Sequence, residues 1–201
     1  MKTLIVMVKE PRPGRVKTRL GQDIGMIDAA WWFRHQTRTL LRTLSDRRWR
    51  TILAVSPDRA GLTSRVWPAA LPRLPQGRGD LGARMLRVAR QIPQGPVLII
   101  GADIPQVGPH HIARGFHRLG GKDAIFGPAP DGGFWLMGLR HPQSIAPHAL
   151  SSVRWSSPFA LQDTLACLPG RRIGFADTLR DVDTLDDLRM TGRPMRARPG
   201  I

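Results

Sequence analysis

Five cations fall within eleven residues of the segment Lys9-Glu10-Pro11-Arg12-Pro13-Gly14-Arg15-Val16-Lys17-Thr18-Arg19, around one glycine and two prolines. Proline restricts the backbone path, Gly14 lets an anion approach the main chain, and lysine and arginine side chains neutralise phosphate oxygens. The segment therefore reads as an anion-binding loop, with Lys9, Arg12, Gly14, Lys17 and Arg19 as candidate phosphate ligands. It is not a Walker loop, because no glycine immediately precedes Lys17. Gly77-Arg78-Gly79-Asp80-Leu81-Gly82 satisfies G-x-G-x-x-G. Its context is wrong for a dinucleotide fingerprint, since the residues before it include Pro72 and Pro75 and predict no strand. What remains is a glycine-rich helix start around Asp80 and Gly82 whose amides could face a nucleotide.

Carboxylates supply the complementary chemistry. Asp103 follows the apolar run Val97-Leu98-Ile99-Ile100 and is stiffened by Pro105, a position suited to holding Mg²⁺ or Mn²⁺ against phosphate oxygens. Asp131 lies in a Pro-Asp-Gly-Gly turn, and Asp181-Val182-Asp183-Thr184-Leu185-Asp186-Asp187 adds a further acidic segment. In that segment Asp183 or Thr184 can cap a helix, and Asp186 and Asp187 favour its first turn. His110, His111 and His117 show no metal-ligand spacing and read as a helix start and its surface.

Positioning these loops requires an alternation of strands and helices. Residues 3–8, 51–55 and 96–101 are apolar, branched runs of strand length, the pattern of strands covered on both faces of a parallel sheet. A polar loop is expected over 9–21, a long helix over 23–46 and another over 81–92. A short helix follows Pro109. Residues 123–126 and 134–139 read as strands flanking the Pro-Asp-Gly-Gly turn, as a hairpin or an excursion. A helix around 159–168, a strand at 171–175 and a last helix from Thr184 complete the series. Such a chain forms an α/β domain whose ligand site lies at the carboxyl ends of its strands. Residues 1–191 are expected to be one domain and 192–201 a basic, frayed tail.

Global composition narrows the function classes. With 201 residues, 41% apolar and 23% charged, the chain is long enough to bury a core and is neither collagenous nor disordered. No apolar run approaches the length that spans a bilayer, and the first one meets Lys9 and Glu10 too soon for a signal peptide, so a cytoplasmic chain is expected. Cys167 is the single cysteine, which excludes an intramolecular disulfide. The net charge of +16 favours anionic partners. Only Lys2, Lys9, Lys17 and Lys122 are lysines, however, and the arginines are spread along the whole chain without interleaved aromatics. Nucleic acid is therefore not the expected partner.

Taken in order, six motifs carry a resemblance: Lys9-x-Pro-x-Pro-Gly-x-Val-Lys-Thr-Arg-Leu20, Gly79-Asp-Leu-Gly-x-Arg-Met85, Gly101-x-Asp-x-Pro105, Gly127-Pro-x-x-Asp-Gly-Gly-Phe134, Arg154-Trp-Ser156 and Asp181-Val-Asp-Thr184. Across residues 3–190 the chain resembles a bacterial family that carries the glycosyltransferase name within the nucleotide-diphospho-sugar transferase superfamily. More distantly it is similar to 2-phospholactate guanylyltransferases. The resemblance implies a GT-A fold, a mostly parallel sheet flanked by helices. It implies Mg²⁺ or Mn²⁺ held by Asp103 and Asp183, phosphates held by the Lys9 to Arg19 loop, and Asp131 on the acceptor side. Lys17 and Asp131 are the candidate catalytic groups. Pro105 stands where many GT-A glycosyltransferases have the second acid of an Asp-x-Asp motif, and a lone strand-end aspartate suits nucleotidyltransferases better. The expected activity is glycosyl transfer from a nucleotide-sugar to a small acceptor. Nucleotidyl transfer from a nucleoside triphosphate is the alternative, and non-enzymatic nucleotide or nucleic-acid binding a third.

Overall fold

The computed structural model of the chain describes residues 1–191. The tail expected at 192–201 lies outside the described residues. The branched run at the start forms β1 (Thr3–Lys9), in which Leu4, Ile5 and Val6 are fully buried. Burial on both faces explains why the run is continuously apolar rather than alternating. β2 (Arg50–Ser56), β3 (Arg73–Pro75), β4 (Val97–Ile100), β5 (Ala124–Pro128), β6 (Phe134–Leu139) and β7 (Ile173–Phe175) complete one sheet in the order β3-β2-β1-β4-β6-β5-β7. Among the described residues only β6 runs antiparallel, pairing with β4 and, as the hairpin around the Pro-Asp-Gly-Gly turn, with β5.

Among the described residues, seven α-helices accompany the strands: α1 (Thr18–Ile24), α2 (Met26–Thr43), α3 (Asp58–Thr63), α4 (Leu81–Arg90), α5 (Pro109–Leu119), α6 (Ala160–Ala166) and α7 (Leu185–Met190). On one face of the sheet, Leu4 and Val6 pack with Leu20 of α1, Phe33 and Leu40 of α2 and Phe116 of α5. On the other, Ile5 and Ile99 pack with Met85 and Val88 of α4 and Ala160 of α6. The alternation of inward side chains along β1 and β4 thus feeds two cores. No helix among the described residues is long and apolar enough to cross a membrane.

Three expectations need correction. The basic loop ends sooner than residue 21, because Thr18 already begins α1. The expected helix over 23–46 starts at Met26 and is separated from α1 by Gly25, whose φ of 92° interrupts helical geometry. Arg73–Pro75 is a strand after all, parallel to β2 at the sheet edge, where a proline without an amide hydrogen is tolerated. The Gly77 to Gly82 segment therefore does join a strand to a helix.

Candidate active site

The carboxyl ends of β1, β2, β3 and β4 open on one edge of the sheet, and the β5–β6 turn reaches the same edge because β6 starts there. The chain after β7 then runs across these strand ends. Ala176 donates its amide hydrogen to the Phe126 carbonyl (2.8 Å), Leu179 to Pro128 (3.2 Å) and Val182 to Asp103 (3.0 Å). Val182 is fully buried, so its neighbours Asp181 and Asp183 turn together to the opposite side, as alternate residues of an extended chain must. Thr184 caps α7, and Asp187 accepts from the backbone amides of Asp183 (3.2 Å) and Thr184 (3.0 Å), which fixes the segment in place.

The result is a cluster of Asp103, Asp181 and Asp183, with one carboxylate oxygen of each within 4.8 Å of the others. Lys17, at the N-cap of α1 with φ 47°, sends its ammonium into this cluster, 2.5 Å from Asp103 Oδ2 and 2.6 Å from Asp183 Oδ1. Its side chain is only 7% exposed. Burial by itself works against the charged amine, but the facing Asp103 and Asp183 carboxylates outweigh it and hold the Lys17 pKa above the usual lysine value. Arg19 lies 3.6 Å from the other oxygen of Asp183. Asp181 has the opposite fate: burial, and then the nearby Asp103 carboxylate, push its pKa up to about 6. Hard oxygen donors converging on a point already taken by a cation fit a divalent ion such as Mg²⁺ or Mn²⁺.

Two lobes of one cleft meet at this cluster. The first, of about 450 Å³, is lined by Lys9, Arg15, Lys17, Thr18 and Arg19 from the basic loop and the start of α1. The second, of about 470 Å³, is walled by Met85, Phe134, Trp155 and Pro158, with Asp131 and Asp181 as its acids. Asp103, Asp183, Arg19 and Ser156 line both.

Of the residues singled out in the sequence, Lys9, Lys17, Arg19, Asp103, Asp131 and Asp183 line the cleft. Arg12 and Gly14 are exposed in the loop and line neither lobe. Asp80 is committed to the fold, accepting from the Ala83 amide (2.8 Å) as the N-cap of α4. Gly82 is buried where a Cβ would come within 2.6 Å of the Trp155 ring, so its lack of a side chain serves packing. His111 accepts from the Gly108 amide at the start of α5, as a helix-start residue does. Sequence reasoning missed Asp181, whose i, i+2 relation to Asp183 was the available signal. It counted Arg15 among the loop's cations without naming it a candidate ligand, and it missed the aromatic wall of the second lobe, which no local spacing reveals.

A family profile described as "Uncharacterized protein conserved in bacteria (DUF2064)" matches residues 39–157. No curated protein matches the chain. Among solved structures, a Desulfovibrio desulfuricans G20 protein named as a nucleotide-diphospho-sugar transferase is 27% identical with a TM-score of 0.85, over 96% of this chain and 86% of that one. Rv0371c from Mycobacterium tuberculosis, in complex with manganese, is similar at 17% identity and a TM-score of 0.54, over 94% of this chain and 96% of that one. The 4-diphosphocytidyl-2C-methyl-D-erythritol synthase from Anaerococcus prevotii DSM 20548 is 9% identical with a TM-score of 0.60, over 94% of this chain and 95% of that one. These last two likenesses concern the fold.

Proposed function

We propose that this chain, which belongs to the bacterial DUF2064 family and has the nucleotide-diphospho-sugar transferase fold, transfers a group from a nucleotide-activated donor with the help of a divalent metal. The observation that carries the reading is the division of charge in the cleft. The cations of the basic loop lie on one side of the Asp103, Asp181 and Asp183 cluster and an aromatic lobe with Asp131 on the other. A donor's phosphates fit the first lobe, where Lys9, Arg15 and Arg19 neutralise them. Asp103, Asp181 and Asp183 would hold the divalent ion, which would supply a Lewis acid for the charge on the departing phosphate oxygens. Lys17, already beside the cluster, adds a positive charge on the leaving-group side.

Glycosyl transfer is the chemistry we favour. An aromatic wall suits the C–H face of a sugar ring, and carboxylates suit its hydroxyls. In this reaction an acceptor hydroxyl oxygen bonds to the sugar's anomeric carbon, the bond from that carbon to the diphosphate breaks, and a nucleoside diphosphate leaves. Asp131, exposed at the rim of the second lobe, is placed to take the acceptor's proton. Nucleotidyl transfer is a second reading, favoured by the number of loop cations and by metal ligands drawn from two separate segments, Asp103 at the end of β4 and the Asp181–Asp183 pair before α7. The two separate by product: with Mn²⁺ and a panel of nucleotide-sugars and nucleoside triphosphates, glycosyl transfer releases nucleoside diphosphate and nucleotidyl transfer releases pyrophosphate. Neither product from any donor, with binding indifferent to metal, would reduce the chain to a nucleotide binder.

A further inference from the structure

The edge of the sheet opposite the cleft carries charges that the transfer reaction does not employ. Strand register builds it. Thr3 of β1 lies level with Arg50 of β2 and Val97 of β4, Val97 with Leu139 of β6, Leu139 with Ala124 of β5, and Ala124 with Ile173 of β7. Arg50 therefore stands in line with Lys2, Arg140, Lys122 and Arg172, which lie one or two residues beyond that level. Backbone bonds tie the row together. The Arg50 amide donates to the Lys2 carbonyl (3.0 Å), the Thr3 amide to Pro96 (3.1 Å), the Arg140 amide to Asp123 (3.0 Å) and the Asp123 amide to Arg172 (2.8 Å). At a strand spacing of about 4.8 Å, the row from β2 to β7 is about 24 Å long.

Asp46 and Asp123 are the only carboxylates in the segments at this edge, residues 1–2, 44–49, 91–96, 120–123, 140–144 and 167–172. Both are taken, Asp46 by Arg48 (2.7 Å) and Asp123 by Arg172 (3.3 Å). Lys2, Arg47, Arg50, Lys122 and Arg140 make no ion pair among the described residues, and all but the half-buried Arg140 are exposed. Lys2 holds its ammonium 5.7 Å from the Phe116 ring, which leaves its charge unneutralised. Lys2, Arg50 and Arg140 adjoin strands, whose net dipoles are small, so no helix end accounts for them.

A row of this length exceeds any single small anion and matches an extended one. It offers no exposed aromatic ring on which a base could stack, since Trp49 and Phe116 beside it are buried. The carboxyl ends of α2, α4 and α5 lie on this side, and their negative dipole ends oppose the close phosphate contacts that fix a nucleic-acid backbone. An anionic bilayer needs neither stacking nor close contact, because its surface potential attracts every cation within a Debye length, about 8 Å at physiological salt.

We propose that this amino edge of the sheet docks the protein on an anionic lipid surface by diffuse electrostatic attraction. The seven residues of β1 span about 23 Å, so the cleft at their far end opens away from the bilayer and beyond the reach of its field. The inference is independent of the chemistry assigned to the cleft.

Sedimentation of the full chain with vesicles tests it. Binding is expected to phosphatidylcholine vesicles containing about a third phosphatidylserine at about 0.1 M salt, and neither to phosphatidylcholine alone nor at about 0.5 M salt. Each cation removed from the row is expected to weaken binding about fivefold, so Lys2→Gln, Arg50→Gln and Lys122→Gln combined lower it about 100-fold. Arg34→Gln, Arg59→Gln and Arg65→Gln combined remove the same charge from exposed positions on α2 and in and after α3, and are expected to stay within about threefold of the parent. Lys122→Glu alone, in the loop between α5 and β5, is expected to lose about 25-fold and serves if the triple variant fails to fold. No binding to the phosphatidylserine vesicles, equal weakening by the two triple variants, or undiminished binding of Lys122→Glu would overturn the inference. A short DNA duplex that binds more tightly than the vesicles in the same salt, and loses affinity only in the edge variants, would assign the row to nucleic acid and overturn it as well.

Discussion

Replacing Lys17 by methionine keeps the apolar stem of the side chain and removes the cation that now sits among the aspartates. The structure sets the size of the effect. Lys17 is 7% exposed and Asp103 23%, so their pair lies on the buried side of the range, whereas Asp183 is 42% exposed and partly solvated. Breaking a fully buried pair costs about 3–5 kcal/mol, and the partial exposure of the partners brings the expected loss to about 2–3 kcal/mol. For a chain of this size that corresponds to a fall in Tm of about 4–12 °C in metal-free buffer. The same substitution frees the cluster for a divalent ion, because Mn²⁺ no longer competes with a resident ammonium. Mn²⁺ at about 100 times its Kd restores about 2.7 kcal/mol, so the variant is expected to recover most of its Tm and to bind Mn²⁺ more tightly than the parent when nucleotide is absent. Differential scanning fluorimetry and Mn²⁺ electron paramagnetic resonance read the two effects separately. A variant that melts with the parent, or that gains no more from Mn²⁺ than the parent does, would refute the assignment of Lys17 as the cluster's own counter-ion.

Asp181 gives a pH prediction. Its pKa in the folded chain, about 6, stands above the ordinary 3.8, so the native state holds a proton that the unfolded chain has released. Stability from this group is therefore greatest below pH 4 and is lost as pH rises toward 6. Metal-free Asp181→Asn is expected to lack that decline and to be the more stable protein at pH 7, which urea titrations at several pH values measure. Mn²⁺ affinity of the parent is expected to weaken as pH falls through about 6, with proton release on binding detectable by calorimetry in two buffers. Gly82→Ala places a methyl 2.6 Å from the Trp155 ring and 2.7 Å from Leu150 Cβ, and overpacking of this kind costs about 1–3 kcal/mol, visible as a lowered Tm. Gly132→Ala meets the Pro158 carbonyl oxygen at 2.0 Å with φ 86° and is expected to part the Asp131 turn from residues 157–161, lowering both Tm and turnover.

How far the sequence carried depends on where each signal resides. β1, β2 and β4 were legible because strands buried on both faces must be continuous runs of apolar, mostly branched residues, and Asp103 was legible because it ends such a run. The Thr184 cap and the acids of the first turn of α7 follow from local chemistry alone. β3 was not legible, since Arg73-Leu74-Pro75 is half-buried at an edge and contains the residue least suited to a ladder. Asp181 was hidden by its neighbours: four acids in seven residues had a sufficient explanation in helix capping, and only the burial of Val182 between them shows which pair turns inward. The second lobe joins residues 85, 134 and 155 from three separate elements, so its aromatic wall exists only once α4, β6 and the segment before α6 are packed.

The central claim is that Asp103, Asp181 and Asp183 hold a divalent ion that a nucleotide's phosphates share. Calorimetric titration of a nucleotide-sugar and of its nucleoside triphosphate, with and without Mn²⁺, into the parent protein and Asp103→Asn tests it most directly. The account predicts binding that requires Mn²⁺ in the parent and is lost in the variant while the variant's fold, read by circular dichroism, is intact. Metal-independent binding, or Mn²⁺-dependent binding that survives the substitution, would contradict it.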